Sequence, residues 1–263
     1  MTHQNRKIRA AIAALLLSAA LTATASAADA PRVDADGAVF EGNVLLVQNT
    51  TYIPMRDFFT FWGWQVQWDG SNATAAKGGT TLSVSSARRT LTVGSATLEA
   101  EILVRQERIY LPLRTTCALL EHTVTWDGAR NTASVRAGGT DWPEDTLYWL
   151  SRIICAEAGG ESLTGQVAVG NVVLNRVASG EFPDSVYGVV FDRKDAVQFE
   201  PVQNGTVYNA PTAQSVQAAQ LALRGANTAG GSLYFFNPAL SGGAWIRSHR
   251  SYYKTIGCHQ FYL

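Results

Sequence analysis

The hydrophobic positions of this chain change their period near its middle. Before residue 138 they alternate in short runs: Gln65-Val66-Gln67-Trp68 and Thr123-Val124-Thr125-Trp126 each put every second side chain on one face and stop at Asp-Gly, a turn signal. Further short strands are predicted at Val44 to Val47, Ile102 to Arg105, Thr81 to Val84 and Thr90 to Val93, with helix-like segments at Arg56 to Trp62 and Arg114 to Leu120. From Asp145 the period becomes helical: Leu147, Leu150, Ile154 and Ala158 share a stripe, Asp145 or Thr146 can cap its start, and Gly159-Gly160 ends it. A second helix, Leu163 to Ala178, turns Val169, Val172, Val173 and Val177 inward and closes near Gly180; a third runs from the N-cap Thr212 to Arg224. Between them Phe182-Pro183 turns into the apolar run Val186 to Phe191, and Gln198-Phe199 opens an irregular segment through Asn204-Gly205. Ser232 to Phe236 and Ile256 to Tyr262 are strand-like, with Asn237-Pro238 and Ser241-Gly242-Gly243 as breaks before Trp245. The predicted class is α+β: a small β-rich unit, then a mainly helical one with a few short strands.

The first half repeats itself. Tyr52-Ile53-Pro54-Met55-Arg56 returns as Tyr110-Leu111-Pro112-Leu113-Arg114, Trp68-Asp69-Gly70 as Trp126-Asp127-Gly128, and Thr74-Ala75 as Thr132-Ala133, all at an offset of 58 residues. Matches in one register predict a duplicated structural unit, placed at 36–138. Its tryptophans, at the ends of alternating strands, are expected to plug the core of the twin unit; a face on which sugar rings stack is the other reading. Gly138-Gly139-Thr140 joins it to the second half, 141–263.

Composition narrows the setting. The chain has 263 residues, 46% hydrophobic and 16% charged, enough for a sizeable core. Arg6, Lys7 and Arg9 precede the apolar run Ala10 to Leu21 and then Ala25-Ser26-Ala27, the pattern of a secretory leader at 1–27; the run is shorter than the ~20 residues that span a bilayer, and a membrane anchor is the alternative. Removing the leader leaves 18 basic against 21 acidic residues, a formal charge of −3, with no electrostatic preference for nucleic acid. The expected location is outside the cell, at the wall, with no stable membrane span after leader cleavage. Cys117, Cys155 and Cys258 allow one internal disulfide at most; Cys155 with Cys258 is the candidate pair, and free thiols are the other reading.

Glu157 is the residue that stands out. It lies seven residues after Leu150 and three after Ile154, so at 100° per residue its carboxyl falls on the apolar stripe of the first helix. Burial and the negative end of the helix both disfavour its anion, and a carboxyl that stays protonated near neutral pH is what general-acid catalysis needs. The alternative is a buried glutamate held by an arginine such as Arg152 or Arg176. Glu161, past the two glycines, can accept backbone N–H bonds at the start of the second helix. Phe199, Tyr208, Trp245 and Tyr253 are the aromatic residues in loops where sugar rings would rest, or else core plugs.

Several stretches of the second half, in order, carry a resemblance: Ile154-Cys155-Ala156-Glu157-Ala158-Gly159-Gly160-Glu161, Gly165-Gln166-Val167-Ala168-Val169 with Asn175-Arg176-Val177, Gln198-Phe199, Asn237-Pro238, and Ile256-Gly257-Cys258-His259-Gln260-Phe261. Together they resemble the SleB/CwlJ family of cell-wall hydrolases, known for spore-cortex-lytic enzymes. The resemblance implies a fold similar to lysozyme-like transglycosylases and resuscitation-promoting factors, and peptidoglycan glycan strands as substrate. It also implies a catalytic glutamate at Glu157 and a groove bordered by Gln198, Phe199, Asn237 and His259. Glu161 and Trp245, beside the same motifs, join the expected substrate-binding set. The repeat of residues 44 to 136 resembles the copper amine oxidase N-terminal-like domain of secreted Firmicutes proteins; His122 stands alone there, with no histidine cluster for copper. That unit is expected to serve as an accessory or wall-targeting module, or as a spacer.

The expected chemistry is that of a lytic transglycosylase, with no metal and no cofactor. Glu157 protonates the bond between N-acetylmuramic acid and N-acetylglucosamine, then takes a proton from the C6 hydroxyl, which closes a 1,6-anhydro ring. A hydrolytic muramidase needs a second carboxylate, for which Glu161 and Asp192 are candidates. A zinc amidase has three histidines to draw on (His122, His249, His259) without the His-Glu-x-x-His spacing. A thiol peptidase at Cys155 or Cys258 with His259 and a non-enzymatic wall-binding protein complete the alternatives. Wall or spore-coat proteins are candidate partners. The substrate is either vegetative wall or spore cortex, and the unusual N-terminal unit leaves a role in germination open.

Overall fold

In the computed structural model, residues 31–263 are described apart from 70, 71, 140, 195 and 196. The leader read at 1–27, Gly70 of the first Trp-Asp-Gly and Thr140 of the join lie outside the described residues.

The β-rich half begins with β1 (Arg32–Ala35) and β2 (Ala38–Phe40), followed by β3 (Leu45–Val47), β4 (Thr50–Pro54), α1 (Met55–Phe61), β5 (Gln65–Trp68) and β6 (Asn72–Lys77). The linking strands β7 (Thr80–Ser85), β8 (Thr90–Val93) and β9 (Ala96–Glu99) lead into the second copy: β10 (Leu103–Arg105), β11 (Arg108–Pro112), α2 (Leu113–Leu119), β12 (His122–Asp127) and β13 (Thr132–Ala137). The two copies meet at β4 and β11, which pair antiparallel so that Tyr52 faces Pro112 and Pro54 faces Tyr110, a local dyad through Ile53 and Leu111. Both copies enter their helix from a proline with nearly the same φ, −68° at Pro54 and −67° at Pro112. Both hairpins turn through two consecutive left-handed residues, Gln48-Asn49 and Gln106-Glu107, as a two-residue turn between right-twisted strands requires. β1, upstream of residue 36, pairs parallel with β13 and completes one sheet.

Four tryptophans separate by environment. Trp62 and Trp64 are buried among Phe58 and Phe59. Trp68 and Trp126, expected to plug the core, are instead 48% and 43% exposed. Each lies on the same strand face as a partly buried valine, Val66 or Val124, that packs on the core, but nearer the end of the strand, where the cover runs out.

The second half is built on three mutually packed helices, α3 (Glu144–Ala158), α4 (Leu163–Ser179) and α7 (Ala213–Leu223), with α5 (Val186–Val190), α6 (Glu200–Asn204) and a 3₁₀ turn (Thr206–Tyr208) between the last two. β14 (Tyr234–Phe236), α8 (Ala244–His249), β15 (Tyr252–Ile256) and β16 (His259–Tyr262) complete it, in a sheet of order β14-β16-β15. α4 is buried continuously from Leu163 to Val173 because α3 and α7 cover one side, while Ala168 and Val172 meet Ile256 and Phe261 of the sheet on the other. The protein is thus α+β, with a β-rich N-terminal region followed by a mainly helical one. Among the described residues no helix is long and apolar enough to cross a membrane.

Several local expectations change. Pro143 stands at the N-cap of α3, with Asp145 and Thr146 already inside the helix; Glu144 and Asp145 place negative charge at its positive end instead. The apolar run at 186–191 forms a short helix, and so does the segment after Phe199, which was expected to be irregular. The stretch from Ile256 to Tyr262 is a hairpin, because Gly257 takes a left-handed φ of +54° and reverses the chain. The three cysteines are free thiols. Cys258 sits in the exposed hairpin turn while the Cys155 sulfur faces the helix end at Gly159, so the candidate disulfide is absent.

Gly170 marks the tightest helix contact: a Cβ there would come within 2.9 Å of Ile154 Cδ1 and 3.3 Å of Ala222 Cβ. Gly170→Val is therefore expected to lower unfolding free energy by about 1–3 kcal/mol through overpacking. Urea denaturation checks this; an unchanged midpoint would mean that α3, α4 and α7 are less closely packed than described.

Candidate active site

Glu157 occupies the last turn of α3, one position before the buried Ala158 and three after the buried Ile154. Its carboxyl is pushed up from 4.5 to about 7, first by burial, then by the carboxylate of Glu200, against a smaller opposing pull from Arg176. Among the described residues neither a hydrogen bond nor an ion pair ties it down. The reading of a glutamate locked to an arginine is not met. Arg152 lays its guanidinium 3.6 Å from the centre of the Tyr148 ring, and Arg176 is held elsewhere.

Arg176, on the last turns of α4, is 5% exposed. Its Nε donates to the Leu233 carbonyl at 2.8 Å and its Nη1 to Gln198 Oε1 at 3.4 Å. The guanidinium lies between Phe182, Phe199 and Tyr234, at 4.9, 5.2 and 5.5 Å from the ring centres. Ring quadrupoles and carbonyl dipoles stabilise the cation where no carboxylate lies within 4.0 Å among the described residues. Burial lowers its pKa to about 10, which still leaves it charged near neutral pH. A fixed positive charge therefore faces Glu157 without neutralising it.

From this arginine the contacts run outward. The Tyr234 hydroxyl accepts a 2.7 Å hydrogen bond from Arg250, and the Tyr234 ring packs on Trp245, which is 53% exposed and stacks flat on His249 at 4.9 Å. The structure thus gathers Glu157, Gln198, Phe199 and Trp245 around Arg176. Phe199 is 2% exposed, so its ring shapes the site from beneath and presents no free face to a sugar. Asn237 folds the loop between β14 and α8: its Oδ1 accepts from the Ala239 N–H at 2.9 Å, and its carbonyl accepts from Leu240 and Ser241.

Glu161 and His259 pair with each other rather than with Arg176. Ser162, rather than Glu161, caps α4 by accepting from the Gly165 N–H. Glu161 Oε1 instead accepts from the Cys258 N–H at 3.0 Å and lies 3.3 Å from His259 Nδ1. A Cβ at Gly257 would overlap this carboxylate, so glycine there lets the hairpin close on it. Burial lowers the His259 pKa against the opposing pull of Glu161, and its ring packs edge-on to Phe235, which in turn packs on Phe199. Their link to Glu157 is through packing.

Two groups escaped the sequence reading. Glu200 was hidden by taking 198–204 as irregular, although an acidic residue followed by Pro201 is a helix-start signal, and α6 begins there. Tyr234 looked like an ordinary strand aromatic; only the fold brings it to Arg176.

Comparison with known proteins gives two family matches. Residues 160–262 match the family described as Cell Wall Hydrolase, and residues 32–135 the one described as Copper amine oxidase N-terminal domain. Glu157 lies just ahead of the first of these segments. The spore cortex-lytic enzyme of Halalkalibacterium halodurans is 38% identical over 128 residues, 49% of this chain and 37% of that protein. That of Bacillus cereus is 35% identical over 127 residues, 47% of this chain and 48% of the relative. The chain thus spans between about a third and a half of the length of these curated relatives. Among solved structures, the catalytic domain of the germination-specific lytic transglycosylase SleB from Bacillus anthracis is 34% identical, covering 48% of this chain and 99% of that one, with a TM-score of 0.44.

Proposed function

We propose, from the premise that the C-terminal half of this chain is a domain of the cell wall hydrolase family, that the protein is a peptidoglycan-degrading enzyme acting through Glu157. The reading rests on one observation: a carboxyl raised to about 7 that no hydrogen bond or counter-ion holds among the described residues. Such a group carries its proton near neutral pH and can release it.

In the reaction proposed, Glu157 donates its proton to the oxygen between N-acetylmuramic acid and N-acetylglucosamine. The C1–O bond breaks and positive charge develops at C1. The Glu157 carboxylate then accepts the proton of the C6 hydroxyl, O6 bonds to C1, and a 1,6-anhydro end forms with Glu157 again protonated. No water is consumed. Arg176 supports the carboxylate between the two proton transfers, and Glu200 keeps it basic enough to take the second proton. The enzyme works outside the cell, delivered by the leader at 1–27, on wall or cortex glycan.

Glu200 also favours a second reading. A carboxylate facing Glu157 is what a hydrolytic muramidase needs to activate water, and Glu161, tied to Cys258 and His259, is less available for it. Mass spectrometry of digested peptidoglycan separates the two. Anhydro ends are expected; reducing muramic ends would establish hydrolysis, and freed stem peptides an amidase.

Removing the Glu200 charge with Glu200→Gln is expected to lower the Glu157 pKa. The alkaline limb of the pH–rate profile then moves to lower pH, by less in high salt because Glu200 is exposed. A limb that stays in place would show that burial alone sets the Glu157 pKa.

A further inference from the structure

The two halves of the molecule are joined by specific contacts: the Glu99 N–H donates to Thr164 Oγ1 at 3.0 Å, and the Asn227 N–H to Thr115 Oγ1 at 3.2 Å. Beside these contacts lies a cleft of about 740 Å³ with walls from both halves, within the roughly 300–1,000 Å³ typical of small-ligand sites. Its lining includes no residue of α3 or α6, nor Arg176, so it is a place distinct from the Glu157 site.

Charges of both signs face this cleft. Arg89, Glu99, Glu101 and Arg114 come from the β-rich half and Lys254 from β15. Among the described residues none of the five belongs to an ion pair. Tyr52 and Tyr253 line the same cleft from opposite halves. Burial, followed by Glu101, raises both phenols, Tyr52 to about 12, so they remain neutral hydroxyls beside a carboxylate. The Tyr253 ring is seated against Gly230, where a Cβ would come within 2.7 Å of it, and the wall is fixed at that point.

A carboxylate that lines one cleft with two phenol hydroxyls can accept from an ammonium group. Arginine and lysine are donor sites for a carboxylate. A glycan of N-acetylated sugars without its peptide carries neither an ammonium for Glu101 nor a carboxylate for Arg114 and Lys254.

We propose that the cleft binds a short peptide carrying a free ammonium and carboxylates, the chemistry of the stem peptides on wall glycan, with its ammonium at Glu101, Tyr52 and Tyr253 and a carboxylate at Arg114 and Lys254. The choice of stem peptide as the source rests on the peptidoglycan reading above. The cleft then grips the wall at a point away from the bond that is cut, and the β-rich half becomes part of substrate recognition.

Calorimetric titration of the full chain bearing Glu157→Gln with the tripeptide L-alanyl-γ-D-glutamyl-meso-diaminopimelate tests this. One-to-one binding is expected, weakened about tenfold or more by Glu101→Gln, by Arg114→Gln, or by acetylating the amines of the peptide, as loss of a charge-assisted contact implies. Glu101 and Arg114 are exposed, so neither substitution threatens the fold, and acetylation leaves the protein untouched. No binding, binding indifferent to all three changes, or Glu101-dependent binding of an N-acetylglucosamine tetramer would overturn the proposal. Cleavage of glycan stripped of its peptides is measured in parallel and should be equal for the Glu101→Gln chain and the unaltered one. If the tripeptide binds as expected but the unaltered chain cuts no glycan, the catalytic reading fails and the ligand chemistry of the cleft stands. Cutting without tripeptide binding removes the cleft proposal alone.

Discussion

Glu157→Gln is expected to slow glycan cleavage by about 10²–10⁴-fold, the usual contribution of a positioned general acid, while leaving glycan binding within a few-fold of the unaltered protein. Glutamine keeps the shape and the hydrogen-bonding capacity of the side chain and lacks the transferable proton. The neighbours that hold the site are independent of it: Arg176 is fixed by Leu233 and Gln198, and Trp245 by Tyr234 and His249. Release of soluble muropeptides from purified wall, measured beside co-sedimentation with that wall, separates turnover from binding. Turnover that survives would move the chemistry elsewhere, and loss of both together would make Glu157 a structural residue.

The same substitution is expected to stabilise the folded protein above pH 7, by about 3 kcal/mol. In the unfolded chain Glu157 titrates near 4.5; in the folded protein it titrates near 7. Between those values the folded state binds the extra proton, so stability falls as pH rises through the window and stays lower above it. A shift of that size at about 1.4 kcal/mol per pH unit gives the figure quoted. Glutamine carries no such penalty. Unfolding free energies of the two proteins should coincide below about pH 4.5 and separate progressively up to about pH 8. Curves that run parallel across this range would mean that the carboxylate is as well solvated in the fold as in water. Greater stability with lower activity is the pattern expected of a residue kept in an unfavourable state for its chemistry.

Most of the architecture was legible because its signals were local. The offset of 58 residues reappears in the structure at the starts of β3 and β10, β4 and β11, and α1 and α2. Period and caps located α4 and α7 almost to the residue, through Gly180 at one end and Thr212 at another. What misled were features whose outcome depends on partners distant in sequence. Alternation marks the face of a strand that packs without saying how far along the strand the cover extends, and Trp68 and Trp126, on the faces of Val66 and Val124, lie beyond it. A strand-like run from Ile256 concealed a hairpin because one left-handed glycine, seated on Glu161 nearly a hundred residues earlier, reverses it. In the site, the stripe of α3 foretold the burial around Glu157, but nothing near it in sequence announces Glu200 or the aromatic surround of Arg176. Glu200 comes from α6, and Phe182, Phe199 and Tyr234 from the turn after α4, the residue before α6 and β14; only the packing of these elements brings them together.

The central claim is that Glu157 holds its proton close to neutral pH. Carbon-13 NMR titration of glutamate carboxyls in the full chain, with the Glu157→Gln variant used to assign the resonance, measures it directly. A midpoint near 7 is predicted for this carboxyl; a midpoint near 4.5, that of an ordinary solvated glutamate, would contradict it.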